Sequence, residues 1–117
     1  MLVACSPFDK SEINTLLDAR NAAIHTKDIA AYNDILANDY PDKLKIIEQM
    51  QSLFSRFEQI DMHSQNRHIR ILDDNKAECE QSYTLKSFAD GEWRNIVQRE
   101  QLQLSRENNH WRISGGL

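Results

Sequence analysis

The sequence predicts a small α+β domain in which three helices pack on one face of a curved, mostly antiparallel sheet. Three segments with helical periodicity follow one another between residues 8 and 57. From Gln59 to Ser114 the pattern changes to an alternation of apolar and polar residues, interrupted by short turns. Helices followed by an antiparallel meander are typical of an α+β domain, because the apolar stripe of each helix is buried against the apolar face of the sheet.

The first helix is predicted to start at Phe8–Ile13. Asp9 can cap it, and Glu12 follows three residues later, as in a capping box. We expect this helix to end near His25, and we expect Asp28 to cap a short second helix.

Pro41 separates the second helix from the third, because the residue before a proline disfavours helical geometry. The third helix is predicted at Lys43–Arg56. Its expected buried face consists of Leu44, Ile47, Met50, Leu53 or Phe54, and Phe57.

In the first predicted strand, the apolar residues that should face inward change from even-numbered to odd-numbered positions. Ile60 and Met62 share one parity, whereas Ile69 and Ile71 share the other. A strand can keep both pairs on the inner face only if it contains an extra residue, so a β-bulge is predicted within His63–His68.

The next two strands have regular alternation. On the second strand the inward residues are predicted to be Ala77, Cys79, Gln81, Tyr83 and Leu85. On the third they are Ile96, Gln98, Glu100, Leu102 and Leu104. Trp111 and Ile113 are the inward residues of the last strand.

Size and composition indicate one globular domain. The chain has 117 residues, of which 40% are hydrophobic and 27% charged, enough for a hydrophobic core. Its formal net charge is −4 and its lysines and arginines are scattered, so no nucleic-acid partner is expected. No apolar run approaches the ~20 residues of a membrane-spanning helix.

The N-terminus resembles the end of a bacterial lipoprotein signal. Leu2–Cys5 has the order leucine, aliphatic residue, small residue, cysteine. The charged and long apolar regions of a signal peptide are missing. Residues 1–7 are therefore interpreted as a tail, either a signal-peptide remnant with Cys5 as the lipid-attachment residue, or an accidental match. The first alternative predicts a membrane tether in the bacterial cell envelope, the second a cytoplasmic protein. Residues 8–117 form the predicted domain.

Polar residues at strand positions that are predicted to face inward indicate a ligand site. Gln81, Gln98 and Glu100 share faces with apolar residues on neighbouring strands, and buried Gln and Glu are uncommon unless they are paired. With Tyr83 and Leu102 they form the predicted ligand-binding set, for an unidentified small molecule.

Glu100 is the candidate catalytic residue, because a carboxyl group in an apolar pocket can act as a base or acid. The alternative is a structural role, in which Glu100 pairs with Arg20 or Arg99, or lies near the end of the sheet.

Other chemistries are not favoured. Cys79 is expected to be a buried thiol. His63 and His68 face opposite sides of a regular strand, so no metal site is expected. The sequence contains no phosphate-binding loop or nucleophile elbow, and no cofactor is expected.

The order of these motifs resembles that of the nuclear-transport-factor-two-like superfamily, whose cone-shaped α+β fold, also described as cystatin-like, is shared with ketosteroid isomerase and SnoaL-type polyketide cyclases. The residues that carry the resemblance are Ile13-x-x-Leu16-Leu17, Asp28-Ile29-x-x-Tyr32-x-x-Ile35-Leu36, Leu102-x-Leu104-x-Arg106 and Trp111-Arg112-Ile113. The resemblance implies a sheet wrapped round the helices and a deep pocket whose lining decides the function.

Three hypotheses follow. The first is a non-catalytic domain that binds a small molecule in the cone. The second is an enzyme that uses Glu100 for proton transfer in an isomerisation, dehydration or cyclisation. The third is a dimeric protein-interaction module. The outer strand face formed by Val97, Arg99, Gln101 and Gln103 could join two subunits sheet to sheet, as the resemblance implies.

Overall fold

A computed structural model describes residues 7–117, with side chains from Asp9 onward. Three helices precede a four-stranded antiparallel sheet with the strand order β1-β2-β3-β4. The predicted α+β class is therefore confirmed. The elements are α1 (Pro7–Thr26), α2 (Ile29–Asp34), α3 (Lys43–Arg56), β1 (Gln59–Asp73), β2 (Lys76–Ala89), β3 (Glu92–Glu107) and β4 (His110–Gly115). Cys5, the predicted lipid-attachment residue, lies outside the described part of the chain.

The start of α1 differs from the prediction. Because α1 begins at Pro7, Asp9 lies inside its first turn, and a capping box at Asp9 is wrong. Proline is favourable at the first helical position, where its missing N–H would have no helical partner. The Asp9 carboxylate instead forms an ion pair with Arg106 and accepts a hydrogen bond from the indole of Trp111 at 3.4 Å. These contacts tie the start of α1 to β3 and β4.

The second helix has its predicted cap, and the third has its predicted bounds. Asp28 Oδ1 accepts a hydrogen bond from the backbone N–H of Ala31 at 3.0 Å. On α3, however, Leu44 is 74% exposed, so its predicted burial is wrong. Leu44 is in the first turn of α3 and lies about 120° around the helix from Met50, which packs against the core. Phe54 is the buried residue of α3.

The sheet has the predicted bulge in β1. The pairing of β1 with β2 shifts register between Gln65 and His68, and Asn66 has a φ of 54°. This left-handed conformation is tolerated by asparagine better than by most residues. Beyond the bulge, Ile69 and Ile71 again pack against the core.

The helices cover only part of β3. Leu102 and Leu104 are buried in its second half, whereas every residue from Glu92 to Arg99 is exposed. Ile96 was predicted to be buried on the inner face, but it is 47% exposed, so this prediction is wrong.

Trp111 and Ile113 of β4 are buried as predicted. Two backbone hydrogen bonds of 2.8 Å, from Ala37 N–H to Ile113 O and from Ile113 N–H to Ile35 O, join β4 to the segment after α2. In residues 7–117, no helix has the length and apolar character needed to cross a membrane.

Candidate ligand cleft

An open cleft of about 450 Å³ lies between the three helices and the middle of the sheet. Arg20 of α1, Tyr32 of α2 and Met50 of α3 contribute to one side. Tyr83 of β2 and Glu100 of β3 contribute to the other. The volume falls within the range of small-molecule sites in proteins. The cleft is also partly apolar, which suits a ligand with a hydrophobic body.

Glu100 is held by two strong hydrogen bonds. Arg20 Nη1 and Gln81 Nε2 each donate to Glu100 Oε2 at 2.7 Å. The side chains of Arg20 and Glu100 are only 7% and 8% exposed. Hydrogen bonds from a guanidinium and an amide fix the position of the carboxylate. Glu100 is therefore a buried, paired carboxylate at the cleft wall, and of the two predicted partners Arg20 is the one that pairs with it.

Gln81 is oriented from behind by Arg67. The Arg67 Nε donates to Gln81 Oε1 at 2.9 Å, which leaves the Gln81 amide to donate to Glu100. Arg67 Nη1 also donates to Asp18 Oδ1 and Asn14 Oδ1 on α1, both at 3.0 Å. One chain of hydrogen bonds therefore runs from α1 through β1 and β2 to β3.

The other predicted site residues have different positions. Tyr83 lines the cleft and its hydroxyl donates to Gln98 Oε1 at 2.9 Å. Gln98 lines the cleft but is exposed. Gln81 is buried and contacts Glu100 rather than the open space, and Leu102 is fully buried in the core. The cleft therefore brings together Tyr83, Gln98 and Glu100 of the predicted set.

The two tyrosines of the cleft are protonated at neutral pH. Burial raises the pKa of Tyr32, although the nearby Arg20 charge acts in the opposite direction. Burial and the negative charge of Glu100 raise the pKa of Tyr83. Both phenols can therefore donate a hydrogen bond, and neither is poised to act as a base.

The sequence did not indicate that Arg67 belongs to the hydrogen-bond chain behind the cleft. If the strand alternated without interruption from Met62, Arg67 would face outward. The bulge at Asn66 instead places Arg67 on the same face as Ile69 and Ile71, where it contacts α1. The parity change that predicted the bulge was the signal that could have found it.

Two other groups contain residue types that can carry chemistry. Burial raises the pKa of the Cys79 thiol to about 11, so it is a protonated, buried thiol as predicted. At the edge of β1, Asp61 lies 3.3 Å from His25 Nδ1 and 2.9 Å from His63 Nε2, a grouping that the sequence did not indicate. Among residues 7–117, no three His, Cys, Asp or Glu side chains have an arrangement suited to a metal ion.

Several solved structures share this architecture. A candidate aromatic ring hydroxylase from Novosphingobium aromaticivorans has a TM-score of 0.83 at 17% identity, covering 97% of this chain and 96% of its own. A candidate dehydratase of the NTF2-like family from Streptomyces avermitilis has a TM-score of 0.82 at 9% identity, covering 93% of both chains. A cystatin-like protein of unknown function from Nostoc punctiforme has a TM-score of 0.78 at 18% identity, covering 93% of this chain and 88% of its own.

The chain therefore has the cone fold of nuclear-transport-factor-two-like and SnoaL-like proteins, as its sequence motifs predicted. At these identities the likeness extends to the fold alone. Comparison with family models and with curated protein sequences finds no match.

Proposed function

We propose that this chain is a small-molecule-binding domain that catalyses no reaction and holds its ligand in the cleft. The observation that carries the proposal is a fixed anion at the wall of a partly apolar space. Both hydrogen bonds to the Glu100 carboxylate from the described residues go to Oε2. Oε1 is left to accept a hydrogen bond from a ligand, while Met50 and Ile46 offer apolar contact to its body.

Binding is favoured over catalysis by the way Glu100 is held. A general base must take up a proton and release it again during turnover. Glu100 already pairs with Arg20 and accepts from Gln81, which Arg67 fixes in turn. Protonation of the carboxyl group would weaken both contacts and leave Arg20 buried without its counter-charge. This arrangement suits a rigid acceptor better than a proton shuttle.

The proposal is tested by titrating the ¹⁵N-labelled protein with an uncharged aromatic alcohol, 2-naphthol. We expect amide shifts concentrated at the cleft residues Met50, Gln98 and Glu100. Glu100→Gln should weaken binding because an amide oxygen is a poorer acceptor than a carboxylate.

The matched control is Glu80→Gln, the same substitution at an exposed position on the opposite face of the sheet. Its affinity should equal that of the wild type. Shifts confined to residues outside the cleft, or equal weakening by both variants, would contradict the proposal.

A second candidate is an enzyme that uses Glu100 for proton transfer. It is supported by the name of one structural neighbour, the candidate dehydratase, and by the phenol of Tyr83 on the same cleft wall. Such an enzyme should exchange the protons next to the carbonyl of 2-tetralone in D₂O faster than buffer does. Loss of that exchange in Glu100→Gln, but not in Glu80→Gln, would favour the enzyme over the binder.

Two further features belong to the proposal. One is a homodimer formed through the outer face of the sheet, which is also the assembly that the third hypothesis, a dimeric protein-interaction module, requires. The other is a lipid tether at Cys5 that holds the domain in the bacterial cell envelope, with a cytoplasmic protein as the alternative.

A further inference from the structure

Three charged side chains line the cleft. Arg20 and Glu100 form one buried pair with 2.7 Å between Nη1 and Oε2. Arg99 lies exposed at the rim, where water and salt screen its charge. The buried part of the wall therefore carries one positive and one negative charge in direct contact, with no net charge.

Arg20 remains charged. Burial by itself lowers the pKa of Arg20, but the hydrogen bond to Glu100, the charge of Glu100 and the adjacent Tyr32 together raise it above its ordinary value. A ligand in the cleft thus faces a cation and an anion whose fields largely cancel. An ionic ligand would lose its hydration without gaining an unopposed counter-charge, and this loss is costly.

The pair still offers neutral hydrogen-bonding capacity. Glu100 Oε1 is available as an acceptor, since both bonds from the described residues end on Oε2. A ligand hydroxyl group can donate to Oε1, and it brings no charge.

We propose that the Arg20–Glu100 pair makes the cleft selective for uncharged ligands that carry a hydroxyl group on an apolar body, with Glu100 neutralising a guanidinium that would otherwise attract anions. This inference rests on the proposed binding function and names its ligand class. Removing the negative charge should uncover Arg20 and turn the preference toward anions.

The experiment compares three probes with one ring system: 2-naphthol, 2-naphthoate and 2-naphthylmethylamine. At neutral pH they are uncharged, anionic and cationic. Dissociation constants are measured by NMR titration of the full chain. The wild type should bind 2-naphthol at least about tenfold more tightly than either ion, the scale on which a desolvated charge changes affinity.

In Glu100→Gln, binding of 2-naphthoate should improve by about tenfold or more relative to 2-naphthol. Arg20→Gln is the mirror variant and should shift the preference toward 2-naphthylmethylamine. Glu80→Gln should keep the wild-type order. If a single variant fails to fold because it leaves a buried charge unpaired, the wild-type comparison still decides.

Equal affinity of the wild type for all three probes overturns the charge selectivity and leaves the binding function standing. An anion preference in the wild type has the same consequence. No detectable binding of any probe removes both proposals.

Discussion

At the residue scale, the decisive contact is the one between Glu100 and Arg20. A buried acidic residue is costly unless an opposite charge and hydrogen bonds offset the loss of its hydration. Here Arg20 and Gln81 both bind Oε2, and the carboxylate remains at the edge of an open space. The sequence indicated an inward carboxylate in an otherwise apolar surrounding. The structure instead surrounds the carboxylate with a polar network and pairs it with Arg20, the partner that the structural alternative named.

Leu102 gives a residue-scale prediction about stability. It is fully buried on β3 opposite Cys79, so Leu102→Ala removes packed methyl groups and leaves a cavity. We expect a loss of roughly 2–5 kcal/mol in the free energy of unfolding, measured by urea denaturation.

The control for this prediction is Leu72→Ala on β1, where the side chain is 53% exposed. Its effect should stay within about 0.5 kcal/mol. Equal losses for the two variants would mean that Leu102 does not lie in the core.

At the scale of elements, the bulge in β1 does two things. It returns Ile69 and Ile71 to the core face after Asn66, and it turns Arg67 under α1. Arg67 then orients Gln81, which orients Glu100. One extra residue in an edge strand therefore helps to fix a carboxylate two strands away.

The outer face of the sheet gives an element-scale prediction. Val97 and Trp93 expose 67% and 56% of their surface there. These two apolar side chains give the face the contact that a two-fold dimer would bury. We expect a homodimer, detectable by light scattering coupled to gel filtration.

Val97→Glu should convert this dimer to a monomer, because it places a charge in an apolar contact. Leu44→Glu serves as the control, since Leu44 is an equally exposed apolar residue on α3. A monomeric wild type, or dissociation caused by the control, would rule out the sheet-to-sheet dimer.

At the scale of the whole molecule, the two ends of the described chain are both fixed to the core. Asp9 near the start of α1 pairs with Arg106 of β3, whose guanidinium stacks 4.9 Å from the centre of the Trp111 ring. Near the other end, the backbone N–H of Leu117 donates to the Tyr40 hydroxyl at 2.8 Å. Leu117 also lines the cleft, so the segment after β4 contributes to the wall of the candidate site.

The lipid tether is the prediction that concerns the protein as a whole. If Cys5 is acylated, residues 1–4 are removed and the folded domain starts close to the membrane, because α1 begins at Pro7. Intact-mass analysis of the native protein should find the acylated Cys5 terminus, and Cys5→Ser should lose both the acyl mass and the membrane fraction. An unmodified Met1–Cys5 segment in the native protein would exclude the tether.

The sequence by itself determined the class of fold, the order of the elements and much of the core, because apolar periodicity records which face of each helix or strand is buried. It also indicated the bulge in β1 and the inward position of Glu100. Local pattern could not show that α1 starts at Pro7, that Leu44 of α3 faces solvent or that Ile96 and Gln98 are exposed. These outcomes depend on how far the helices extend over the sheet.

The cleft was likewise decided only by the tertiary structure. Arg20, Arg67, Gln81 and Glu100 come from four elements, and strand parity gives the face of a residue but not its partner across the fold. The alternation of a strand shows only that a carboxylate faces inward. It does not show whether that carboxylate faces an apolar pocket or pairs with a guanidinium. That distinction depends on a 2.7 Å contact between residues 80 positions apart, and such a contact exists only after the helices have packed on the sheet.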